Sequence, residues 1–174
     1  RPCLKQCFPT RPILPVKASL TDRLYEHWVG LPPSVQDRLV AAALIVTSAP
    51  VLGIAAWLEP DPAGVGTHKQ LGLGGCTVLT LTGWPCPMCG MTTCFTHMAH
   101  FEPWAAGLVQ PFGVLLFAAT VLIFLVGGAS LFDGRVWRRS LAFLLRHEVP
   151  VAAGTLIGMV GGWLYKCVAM GLWA

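Results

Sequence analysis

Charge is what this sequence has least of. Only 11% of its residues are Asp, Glu, Lys or Arg and 55% are hydrophobic, against roughly a quarter charged in soluble domains. A water-soluble core of this size would need more polar cover, so an integral membrane protein is expected, with the bilayer accepting the apolar surface. A mean hydropathy of +0.64 agrees. Basic residues interleaved with aromatics are also lacking, so nothing is set up to stack on and neutralise a nucleic acid, and no nucleic-acid partner is expected. No n-region, h-region and cleavage site can be read in the first 30 residues. The chain has one C-x-x-C pair and no second, and no β-α-β pattern surrounds that pair.

What is present is a set of long apolar runs. Residues 1–34 form an arm rich in proline, including Pro2, Pro9, Pro12, Pro15, Pro32 and Pro33, which discourages long regular structure. Within it only "SLTDRLYEHWVG" reads as a short amphipathic helix, with Leu20, Leu24 and Trp28 at helical spacing and Gly30 as a stop. The remainder, 35–174, reads as a transmembrane domain. Charge-free runs predict crossing helices at about 39–58, 105–132 and 149–172, each long enough for a hydrocarbon core of roughly 30 Å. Pro50 inside the first predicts a kink, and Pro111 is expected to break the second near its start. In the third, Gly154, Gly158 and Gly162 stand four apart, a pattern that permits close helix packing and so a homo-oligomer or another membrane protein as partner. Lys166 in that helix is expected to snorkel to an interface.

Orientation follows from the basic residues. Arg23 and Arg38 precede the first span, and Arg135, Arg138, Arg139 and Arg146 lie between the second and third. The loop from Glu59 to Pro103 has only Lys69 against Glu59, Asp61 and Glu102. The positive-inside rule then puts the N-terminus in the cytoplasm and the cysteine stretch on the outer side of the membrane. No fixed charge occurs between Lys69 and Glu102, so a fourth crossing competes with a re-entrant or interfacial arrangement. The Gly, Pro and Thr content and the charge pattern favour the latter.

The chemistry-bearing stretch is "GWPCPMCGMTTCFTHMAH", residues 83–100. Cys86-Pro87-Met88-Cys89-Gly90 is a knuckle in which a tight turn aims both sulfurs at one spot. Two ligands do not close a zinc site. Cys76 upstream and Cys94 or His97 downstream are the candidates to complete one, for zinc or iron, since thiolate and imidazole suit tetrahedral coordination. The same Cys86 and Cys89 offer a thiol–disulfide pair, with Cys76 or Cys94 as resolving thiol, though no charged residue is expected close enough to activate a thiolate. A third reading is structural, the cysteines shaping a turn at the membrane surface. Cys167 reads as a small buried hydrophobe. Cys3 and Cys7 form a C-x-x-x-C pair in a predicted cytoplasmic arm, where a disulfide is not expected.

Cys76, Thr82, Gly83, Pro85, Cys86, Pro87, Cys89, Gly90, Thr92, Gln110 and Pro111 together resemble the signature of a widespread bacterial membrane family of unknown function. That signature is an upstream Cys, Thr-Gly-x-Pro-Cys-Pro-x-Cys-Gly-x-Thr, and Asn-Pro or Gln-Pro before the next helix. The resemblance covers roughly Gly72 to Phe132 and implies that Cys76, Cys86 and Cys89 act as a unit. The family often has Arg where this chain has Thr93, which weakens an enzymatic reading. The expected protein is therefore all-α, with about three transmembrane helices and a re-entrant or interfacial cysteine turn followed by a short helix. Its expected role is an accessory or scaffold subunit rather than an enzyme. A transporter fits less well, because Lys166 is the one ionisable residue inside a predicted span.

Overall fold

A computed structural model describes residues 20–171, and every regular element among them is helical. Cys3 and Cys7 lie outside the described residues. Contacts divide the chain between Gln36 and Asp37. On the N-terminal side, α1 (Leu20–Gly30) is followed by a turn in which Gln36 Nε2 donates to the carbonyls of Trp28 (2.9 Å) and Leu31 (3.1 Å).

Among the described residues three helices are long and apolar enough to cross a bilayer: α2 (Pro33–Trp57), α6 (Pro111–Phe132) and α8 (Glu148–Ala169), with window hydropathies of 2.2, 2.5 and 1.4. Their large apolar side chains, such as Leu115, Leu122 and Leu125 of α6, are exposed, as lipid-facing surface should be. The protein is thus an all-helical, multi-spanning membrane protein. Between α2 and α6 the chain forms a 3-10 turn (Thr67–Leu71), then α3 (Thr77–Thr82), α4 (Met91–Ala99) and α5 (Pro103–Val109). At 1.5 Å per residue, the nine residues of α4 reach only about 13 Å, so neither α3 nor α4 is long enough to cross alone.

The first span begins earlier than expected because Pro33 sits at the helix start, where a missing N–H costs nothing; the helix then continues through Pro50. The second apolar run is interrupted where Pro111 was expected to break it: the backbone is extended at Gln110 (φ −159°, ψ 96°), and α6 starts afresh at Pro111. Proline disfavours helical geometry in the residue before it and has no N–H to continue the ladder.

Helix α7 (Arg135–Arg146) joins α6 to α8. Asp37 anchors it to α2, accepting from Trp137 Nε1 and Arg138 Nε, both at 2.8 Å. Small residues set the spacing of the spans. A Cβ at Gly127 would lie 3.0 Å from Leu44 and Ile45 of α2, and one at Gly158 would lie 2.6 Å from the Phe112 ring of α6. Gly162 meets Phe112 as well, at 2.9 Å. Two of the glycines expected to face a partner are therefore filled by a phenylalanine of the same chain, and only Gly154 looks onto open space.

Candidate metal centre

Cys76 is the N-cap of α3, and that helix ends at Gly83 in a left-handed conformation (φ 73°). The chain then turns through Trp84 and Pro85 into the knuckle, where the Cys89 amide donates to the Cys86 carbonyl at 2.9 Å and the Met91 amide to that of Met88 at 3.1 Å. Gly90 closes the turn at φ 82° and caps α4. The result is that the sulfurs of Cys76, Cys86 and Cys89 lie within 4.8 Å of one another. Sulfurs around a tetrahedral zinc, at Zn–S of about 2.3 Å, stand roughly 3.8 Å apart, so a small inward movement would bring all three onto one ion.

Two side chains from distant positions hold the knuckle. Trp163 Nε1, on α8, donates to the Pro85 carbonyl at 2.8 Å, and Gln110 Nε2 donates to the Pro87 carbonyl at 3.4 Å. Gln110 is fully buried at the α5–α6 break. Its Oε1 has no partner among the described residues, at a desolvation cost of about 1–3 kcal/mol.

A cavity of about 310 Å³ opens beside the three sulfurs and is lined also by His68, Lys69, Met88 and Thr93. The expectation that no charge stands near the cysteines is thus corrected, because the 3-10 turn folds Lys69 into the same cavity. That turn is pinned to α4 by a buried hydroxyl pair, Thr67 Oγ1 to Thr93 Oγ1 at 2.8 Å, and Thr67 Oγ1 also accepts from the Asp61 amide at 3.1 Å. His68 Nε2 lies 3.1 Å from the Gly74 carbonyl.

The thiols differ in environment. The Leu79 amide, helped by the Cys86 sulfur and the Val78 amide, outweighs burial and holds the Cys76 thiol below its ordinary value. Burial pushes Cys89 up to about 11, reinforced by the neighbouring Cys86 and Cys76. Cys94 is pushed up to about 12 by burial, with the Lys166 ammonium opposing.

Cys94 and His97 are not brought to the cluster. Cys94 is fully buried and its thiol donates to the Gln110 carbonyl at 3.3 Å, while His97 Nδ1 lies 2.7 Å from Glu102 Oε2. Helix α4 turns both away from the cavity, which its first turn reaches through Thr92 and Thr93. Cys167 is buried, as expected for a small hydrophobe. The described cysteines are all free thiols, so no disulfide joins Cys86 to Cys89, and the geometry lends the redox-pair alternative no support.

Lys166 does not snorkel. It is 6% exposed, and its Nζ donates to the carbonyls of Gly64 and Val109, each at 3.2 Å. Val109 ends α5, so its carbonyl has no helical partner and suits a cation. Trp163 and Lys166 are one turn apart on α8 and face the same way; a lone Trp and a lone Lys in a glycine-rich span were the available signal for this face. Lys166→Met should cost about 1.5–3 kcal/mol, the range for bonds to a charged group, read as a lower thermal midpoint in detergent. An unchanged midpoint would mean that these carbonyls are satisfied otherwise.

Residues 76–124 match a family described as protein of unknown function, DUF2752. The match begins at Cys76, covers the knuckle, α4 and α5, and ends within α6. It contains the three clustered cysteines and Gln110, whereas Lys69, Trp163 and Lys166 lie outside it. Neither a curated protein nor a solved structure matches the chain.

Proposed function

We propose that this chain is an accessory or scaffold subunit of the bacterial inner membrane in which Cys76, Cys86 and Cys89 hold one thiophilic metal ion, zinc by preference, as a structural staple. The observation that carries the reading is the convergence of three sulfurs within 4.8 Å from two separate stretches of chain. Thiolates select zinc and other soft ions over hard ones. The three thiolates would hold the ion, and a fourth donor to close a structural site would have to come from the cavity that His68 lines. Such a metal would tie α3 to the start of α4, on the side where Trp163 of α8 already grips the knuckle.

In this reading the basic residues face the cytoplasm and the cysteine cluster faces outward, in keeping with the positive-inside rule. The proline-rich arm, residues 1–34, and the open side of α8 around Gly154 are the surfaces offered to a membrane partner. Elemental analysis of purified protein is expected to give about one zinc per chain, lost in Cys86→Ser and kept in His97→Ala. Metal content that survives Cys86→Ser, or its absence from protein whose thiols all alkylate freely, would overturn the reading.

A further inference from the structure

A second cavity has no part in the cysteine chemistry. It is a groove of about 650 Å³ between α2, α6 and α7, lined by apolar side chains that include Val40, Leu44, Ile123 and Val126, with Arg139 among its walls. That volume falls in the range of small-molecule sites, roughly 300–1,000 Å³. The helix that forms one wall has the composition of a membrane-surface element. In α7, Arg135, Arg138, Arg139 and Arg146 are interspersed with Trp137, Leu141, Phe143, Leu144 and Leu145, and no residue of the helix is buried. Phe143 and Leu145 are 62% and 60% exposed. Trp137, Leu141 and Leu144 lie on the face opposite the arginines, with Phe143 and Leu145 at its edges, the arrangement an interfacial helix presents to headgroups and acyl chains.

The four arginines are not equivalent. Arg138 is spent on Asp37. Among the described residues Arg135, Arg139 and Arg146 form no ion pair, and of these Arg139 alone lines the groove. An unpaired guanidinium beside an apolar groove, on a chain whose neighbouring helices span a bilayer, matches one chemistry: a hydrocarbon chain carrying a negative head.

We propose that this groove binds an anionic phospholipid, one acyl chain lying along α2 and α6 and the phosphate held by Arg139. The guanidinium suits a phosphate because its fork of donors can engage two oxygens at once. Bound there, the lipid covers apolar surface that α7 leaves open. The inference does not depend on the metal reading.

Native mass spectrometry of protein stripped of lipid and then offered phosphatidylglycerol or phosphatidylcholine with the same acyl chains tests it. The wild type should retain phosphatidylglycerol about fivefold better, the discrimination expected from one basic residue at a lipid surface. Arg139→Gln should bring the two lipids to parity and Arg139→Lys should restore the preference. Ile123→Trp, which fills the groove, should reduce retention of both. Equal retention by the wild type, a preference that survives Arg139→Gln, or groove residues protected only in a dimer with lipid retention unmoved by Ile123→Trp would each overturn the proposal.

Discussion

Gly90→Ala is expected to be the most damaging single methyl group in this protein. Gly90 has φ +82°, and a Cβ built on it would lie 2.8 Å from the Gly64 carbonyl oxygen, 3.1 Å from Val109 Cγ1 and 3.2 Å from Lys166 Nζ. Left-handed backbone costs a non-glycine residue about 1–2 kcal/mol. The ammonium and the valine can give way, but the carbonyl belongs to backbone that Lys166 holds in place. Strain and collision together should cost about 3–5 kcal/mol, among the larger effects of single substitutions. The loss should appear as a fall in thermal midpoint in detergent together with loss of bound metal, since the same residue aims Cys89 at the cluster. Gly161→Ala is the matched control, because a Cβ there meets nothing within 4 Å and alanine favours the helix. Equal midpoints for the two variants would show that the turn does not need Gly90.

Chelation is the second large effect. A ligand that binds only the folded state stabilises it in proportion to the logarithm of its concentration over Kd, and structural zinc sites in small domains bind with about 10–16 kcal/mol. Most of that would not appear as stability here, because the spans are held by the bilayer and the knuckle is already gripped by Trp163 and Gln110. A loss of about 3 kcal/mol would move the midpoint of a chain this size by roughly 6–12 °C. Treatment with EDTA should produce that shift, with new protease cleavage confined to residues 72–90 and the spans intact. Cys86→Ser should start at the chelated midpoint and respond to EDTA no further. If EDTA moved neither the midpoint nor the cleavage pattern, the three sulfurs would be a packed thiol cluster and not a metal centre.

The elements that were legible in the sequence are those decided by local chemistry. Charge-free runs of sufficient length mark the three spans, because a bilayer admits little else. The knuckle was legible because proline and glycine at fixed positions around two cysteines allow only a tight turn. The break at Gln110 was half legible. Pro111 signalled a break near the start of the run, but nothing local showed that the residues before it would form a separate short helix, α5.

What stayed hidden depended on contacts between residues far apart in the chain. Three candidates stood within reach of the knuckle, and nothing in their spacing separated Cys76, which joins it, from Cys94 and His97, which α4 turns away. Lys69 counted only as the one basic residue of its loop, and Lys166 read as an interfacial anchor. Lys69 stays exposed but lines the cysteine cavity, and Lys166 is drawn inward onto two carbonyls that no helix satisfies. Gly158 and Gly162 promised a close neighbour without saying which, and Phe112 of the same chain supplies it. The sequence by itself determined a helical membrane protein with three spans and a cysteine turn, because solvation and backbone sterics act residue by residue. Only the tertiary structure decided which cysteines share a point and which cations reach the site, because that depends on how α4, α5 and α8 pack, and packing is a property of surfaces that meet rather than of either surface alone.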